Sequence, residues 1–253
     1  MTELLQFFQL DGAQWAWIIL AAFLVGFSKT GISGFTMLVI PILASVFGGK
    51  DSTGVLLPML IAGDVFAVLY YRRHAAWKDI ARLLPWALVG IVAGLLVGSY
   101  VDDRTFKLLI ACIVLICLVL LVRTELRGEA ESRLTRQAWF PPVTGVASGF
   151  ATMIGNAAGP IFSLYLLAKG AKKNNYMGTF AWFFLIVNLT KLPLQVFAWH
   201  NITGTTLALA GLMLPAITAG ALSGAAVIKH LPEKPFRWII LVVTAVAAIR
   251  LFF

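Results

Sequence analysis

Two apolar stretches of this chain are too long for one straight membrane helix, and glycine and small polar residues interrupt each of them in the middle. Around Gly26 the chain reads GFSKTGISGFTMLVIP, and around Gly149 it reads GFATMIGNAAGPIFS. In hydrocarbon every backbone N–H and C=O needs a partner from the protein. Irregular backbone at that depth is therefore tolerated only where it is buried or lines a wet cavity. A matched pair of interrupted segments in two halves of a chain points to a binding site near the bilayer midplane, between inverted repeats.

Composition supports the membrane reading. Of 253 residues, 60% are hydrophobic and 12% charged, with a mean hydropathy of +0.90. A soluble protein of this size cannot bury that much apolar surface. An all-α polytopic membrane protein is expected. The formal charge is +9, but its basic residues sit in short connections between apolar runs, where Lys and Arg mark cytoplasmic loops. Nucleic acid is not an expected partner. Cys112 and Cys117 share one apolar segment and read as packing residues, not as a disulfide or metal site. His74, His200 and His230 lie at or near segment ends, which gives haem ligation no support. The N-terminal MTELLQFFQLDG lacks a basic region, so no cleaved signal peptide is expected. P-loop, GxSxG, HExxH and CxxC patterns are absent from the sequence, and no metal or cofactor is expected.

Six runs are long enough to span hydrocarbon about 30 Å thick: Thr53–Tyr71, Ile80–Ser99, Phe106–Val122, Met177–Trp199, Thr205–Ile228 and Pro235–Phe253. The two interrupted regions, Trp15–Phe47 and Phe140–Ala168, break at Ser28–Gly34 and Ile154–Pro160. Each reads as two short helices of about a dozen residues. If each broken pair returns to its starting side, the Arg72–Arg82 loop, the Arg123–Arg136 linker, the Lys169–Lys173 loop and the Lys229–Arg237 loop are all cytoplasmic. Single crossings would separate these loops, against the positive-inside rule. Arg250 is a mild exception that can snorkel to the interface.

Spacing locates the repeat. Pro85, Gly90, Gly94 and Phe106 each precede a like residue (Pro215, Gly220, Gly224, Phe236) by 130 positions. Gly31, Gly54 and Asp64 precede Gly155, Gly178 and Asn188 by 124. The predicted organisation is a first repeat over 1–122, a cytoplasmic linker over 123–138 and a second, inverted repeat over 139–253. Trp15, Trp17, Trp77, Trp139 and Trp199 fall near span ends as an aromatic belt. Gly90/Gly94 and Gly220/Gly224 form small-xxx-small packing faces within the chain, and a homodimer is compatible with the sequence.

An ionisable side chain inside a membrane span marks a candidate functional site. Three qualify: Lys29, Asp64 and Lys191. Lys29 stands in the first break with Thr30, Gly31 and Ser33. Free N–H groups at such a break, and the next half-helix N-terminus, favour an anion. The second break offers Thr152, Gly155, Asn156 and Gly159. The alternative is that these glycines only allow close packing. Asn188, Lys191 and Gln195 share one helix face. Lys191 is either a second cation on the anion path or the ion-pair partner of Asp64. Asp64 is either a proton-coupling group or a fixed counter-ion.

The duplicated GFxxxxG…G…P pattern, four apolar segments per half and a basic central linker resemble the sulfite exporter TauE/SafE family, also called the toluene sulfonate uptake permease family. The resemblance implies a bacterial inner-membrane secondary transporter for sulfite, thiosulfate or sulfonate-like anions, with its binding breaks at Gly26–Gly34 and Gly149–Gly159. The second break reads GNAAG where a triple-glycine form is more usual. The expectation is alternating-access movement of a small anion, export favoured, with the lipid bilayer as the other partner. The alternatives are a passive anion channel, or uptake of thiosulfate or another small sulfonate or carboxylate. An enzyme is not expected, because no nucleophile–base pair stands inside the spans.

Overall fold

The computed structural model describes residues 10–33, 35–47, 49–98, 100, 119 and 137–250. Among them every regular element is helical. The helices are α1 (Gly12–Thr30), α2 (Thr36–Phe47), α3 (Gly49–Tyr71), α4 (Trp77–Val97), α5 (Phe140–Gly155), α6 (Gly159–Ala168), α7 (Lys173–Phe197), α8 (Gly204–Leu212), α9 (Leu214–His230) and α10 (Glu233–Arg250). All of the expected span Phe106–Val122 except Val119, both cysteines and nearly all of the 123–138 linker lie outside the described residues.

Among the described residues, α1, α3, α4 and α7 contain apolar stretches long enough to cross a bilayer, and the bent pair α8–α9 makes a fifth candidate. Two expectations are corrected. The first arm of the first broken region is 19 residues long, not about a dozen. It extends at both ends. A capping box between Asp11 and Gln14 starts it before the apolar run. At the other end Thr30 stays helical, with its Oγ1 donating to the Gly26 carbonyl, so the break begins only at Gly31. Second, Thr205–Ile228 is not one straight helix, because α8 and α9 meet at 50°. Pro215 has no N–H to donate, and its ring would clash with the Gly211 carbonyl, so the ladder is interrupted there. The expected span Pro235–Phe253 falls on α10 as far as Arg250, and its last three residues lie outside the described residues.

The outward surface matches lipid as a solvent. Trp86, Val89, Val92 and Leu96 of α4 are exposed, as are Leu189 and Phe197 of α7. Trp17, Trp77 and Trp139 are about half exposed, as an interfacial belt requires. Trp199 is 8% exposed and packs over Gly98 instead of facing lipid.

Glycines set the two closest helix crossings. A Cβ on Gly26 of α1 would lie 1.9 Å from the Ile217 carbonyl of α9, and one on Gly220 would lie 2.0 Å from the Phe23 carbonyl. The other crossing repeats this. A Cβ on Gly149 of α5 would lie 1.9 Å from the Ala87 carbonyl of α4, and one on Gly90 would lie 2.1 Å from the Val146 carbonyl. Ala87 precedes Ile217 by 130 residues, and Gly26 precedes Gly149 by 123, one short of the register at Gly31 and Gly155. Contacts advance together along both partners, so α1 runs parallel to α9 and α4 parallel to α5. The small-xxx-small faces thus pack within the chain.

A methyl group at Gly26 or Gly149 must push two backbones apart. Gly26→Ala and Gly149→Ala are each expected to lower stability by about 1–3 kcal/mol. Gly211→Ala, where nothing lies within 4 Å, is expected to raise it by about 0.5–1 kcal/mol. Thermal unfolding in detergent checks the contrast.

Candidate functional site

The two breaks use different local chemistry. At the first, Ser28 from the last turn of α1 stands in for a missing N-cap of α2. Its Oγ accepts from the Thr36 N–H at 3.2 Å and from Thr36 Oγ1 at 2.9 Å. At the second, α5 ends on Asn156 in the left-handed region, at φ 53 and ψ 27. Asparagine tolerates that conformation better than most residues. Pro160 then opens α6 at its first turn, where no N–H is needed. Each break therefore ends one helix and aims the N-terminus of another into the protein.

Between the breaks lies a continuous buried polar network. Lys29 Nζ is 2.6 Å from Asp64 Oδ1. Asp64 Oδ2 accepts from Asn188 Nδ2 at 2.7 Å. Asn188 Oδ1 accepts from Lys191 Nζ at 3.4 Å. Lys191 Nζ also donates to Thr152 Oγ1 at 3.1 Å and to Asn156 Oδ1. All six residues are at most 5% exposed. Asp64 thus pairs with Lys29, and a Lys191–Asp64 pair is not formed among the described residues. Two ammonium groups and one carboxylate leave the cluster a formal charge of +1. The Lys29 ammonium also sits 4.8 Å from the centroid of the Phe184 ring, within cation–π range.

A cavity of about 20 Å³ adjoins this network, lined by Lys29, Asn156, Asn188, Thr36, Gly159, Leu60, Phe180 and Phe184. It can hold about one water. A four-atom ligand would need more room than this. Thr36 and Gly159 are the first residues of α2 and α6, so two positive helix ends share the cavity wall.

The other candidates separate. Thr30 Oγ1 donates to the Ala221 carbonyl at 2.5 Å. A Cβ on Gly31 would come within 2.9 Å of the Gly224 Cα. Both therefore serve the α1–α9 contact. Ser33 hydrogen-bonds Ser163 at 3.2 Å and also Tyr176, whose hydroxyl reaches Ser163 at 2.6 Å. Gly155 is the last residue of α5. Gln195 is fully buried, and neither its Oε1 nor its Nε2 has a hydrogen-bond partner.

Sequence reasoning named Gly159 but missed Thr36, Phe180, Phe184, Ser163, Tyr176 and Thr53. Phe180 and Phe184 continue the Asn188–Lys191 face at four-residue steps, which was a readable signal. Thr53 was not, because its carbonyl meets Asn156 Nδ2, at 3.4 Å, only through tertiary packing.

These features define a multi-pass helical membrane protein with an interior cationic site, of the kind used for membrane transport. A family model described as sulfite exporter TauE/SafE matches residues 18–251, and the chain belongs to that family. Comparison with curated proteins and with solved structures returned no match.

Removing one partner of a buried ion pair strands the other charge. Lys29→Met and Asp64→Leu are each expected to cost about 3–5 kcal/mol, with most of that recovered in the double variant. A double-mutant cycle on thermal unfolding measures this. Gln195→Leu removes two unpaired buried polar atoms, which cost about 1–3 kcal/mol each. It is expected to match or exceed wild-type stability in thermal unfolding.

Proposed function

We propose that this chain is a secondary transporter that moves a small sulfur oxyanion or organosulfonate, sulfite-like in size, across the bacterial inner membrane by alternating access. The observation that carries this is the convergence of two half-helix N-termini, the Lys29 ammonium and the Asn156 and Asn188 amides on one cavity. N–H donors and helix dipoles aimed at one point bind an anion with little reorganisation. Lys191 adds a second charge behind the amides. Lys29 and Lys191, held by their partners in the closed state, turn to the substrate as the cavity opens.

Inverted repeats over 1–122 and 139–253, joined by a cytoplasmic linker, account for the reciprocal glycine crossings. They also account for the direct bond between Asp64 and Asn188, which are repeat-equivalent positions. Parallel α1 and α9, together with Gly63 of α3 lying against Lys29 and Val25 of α1, support a first broken pair that returns to its own side. By the positive-inside rule that side is periplasmic and the second pair starts from the cytoplasm. Ser33, Ser163 and Tyr176 then close the site toward the cytoplasm. Thr53 and Asn201, bonded at 3.0 Å, close it toward the outside. Export follows the membrane potential, worth about 2.3 kcal/mol per charge per 100 mV.

Proteoliposome flux with a panel of sulfur oxyanions tests this. Saturable flux is expected from wild type, with a loss of at least about tenfold in Lys191→Ala and in Lys29→Ala, on the scale of one lost charged contact. Flux that fails to saturate would instead indicate a channel. Unchanged transport in both lysine variants would sink the proposed site. Asp64 acts here as counter-ion, so flux is expected to show no obligatory proton movement, which a pH indicator inside the vesicles reads.

A further inference from the structure

A second cavity, of about 290 Å³, opens between the end of α3, the start of α7 and the end of α9. It is more than ten times the volume of the central one, enough for a small oxyanion with part of its hydration shell. Its ionisable lining comprises His74, Lys173 and Lys229 with the hydroxyls of Tyr70 and Tyr71, and Asn174 adds an amide. No carboxylate is among its lining residues as described. Asp79 at the start of α4 is engaged with Lys169 at 4.0 Å and the Tyr165 hydroxyl at 3.2 Å.

Two contacts make this more than a basic patch. The C-terminus of α9 points its free carbonyls here, a negative helix end that would repel an anion. Lys173 Nζ donates to the carbonyls of Ile228 at 3.0 Å and Leu231 at 2.7 Å, which offsets that end. Lys229 is then left to act on a ligand. The second contact joins this cavity to the centre. Tyr71, 3% exposed, donates its hydroxyl to the Thr30 carbonyl at 2.8 Å, one residue from Lys29.

We propose that this vestibule is a separate anion-binding site, a loading site that holds the sulfur oxyanion before it passes Tyr71 to the central cluster. The proposal rests on the transport reading above. Lys229 draws the anion in, Asn174 and the tyrosine hydroxyls hydrogen-bond it, and Tyr71 is the floor that must move.

The test is initial flux of sulfite from the vestibule face of oriented proteoliposomes. Lys229→Gln is expected to raise KM about threefold and Lys229→Glu about tenfold, as charge steering predicts. Lys229→Arg should match wild type, and the saturating rate should stay within about twofold throughout. Equal KM in all four proteins would overturn the loading site. A direct measurement needs no transport. With Cys112 and Cys117 changed to Ser, Asn174→Cys is labelled by methanethiosulfonates of opposite charge. The anionic reagent should react faster, sulfate should slow it, and Lys229→Glu should remove the preference. Absence of charge preference and of sulfate protection refutes anion binding in the vestibule. If wild type moves no sulfur oxyanion, the transport reading fails, and labelling alone decides the vestibule.

Discussion

An ammonium group in the middle of a bilayer is too costly to leave unanswered, and the Lys29–Asp64 contact answers it. Everything around the centre depends on that pairing. It holds the last turn of α1 against α3 at the point where α1 must stop. It orients Asp64 so that its second oxygen takes the Asn188 amide. The Asn188 carbonyl oxygen is thereby turned toward Lys191. One ion pair thus fixes the geometry of a second cation with no carboxylate of its own. Lys191 is satisfied by Thr152 and Asn156, neutral groups that would surrender it to an anion more readily than a carboxylate would.

The asymmetry between the breaks follows from the same economy of charge. Two carboxylates would neutralise the cluster, and two unpaired lysines would repel each other. Asp64 on one side and Asn188 on the other keep a single formal positive charge while preserving a hydrogen bond between them. The left-handed Asn156 in the second break does the work that Lys29 does in the first, by bringing a polar side chain to the cavity.

Much of this was legible in the chain. The interrupted segments, the embedded Lys29, Asp64 and Lys191, and the shared face of Asn188, Lys191 and Gln195 could all be read from spacing and hydropathy. All of these positions are buried. What could not be read was pairing. Sequence places Asp64 and Lys191 in different spans and offers no distance, so the choice between Lys29 and Lys191 as partner of Asp64 required tertiary packing. Helix ends were misread for a related reason. Asp11 and Thr30 extend α1 by hydrogen bonds that hydropathy does not register. Pro85 and Pro215 look equivalent, yet α4 runs on through the first while α8 and α9 part just before the second. Thr30 and Gly31 looked like ligands because they sit beside Lys29, but the facing α9 uses them as contact surface.

The glycine crossings carry one consequence for movement. α1 is bolted to α9, and α4 to α5, with backbones touching. Each bolt joins a helix of the N-terminal half to one of the C-terminal half. Neither half can therefore travel as a body of its own. Any relative movement has to respect these bolts: α1 with α9 forms one block and α4 with α5 the other. The covalent order of the chain and its mechanical partition are different things.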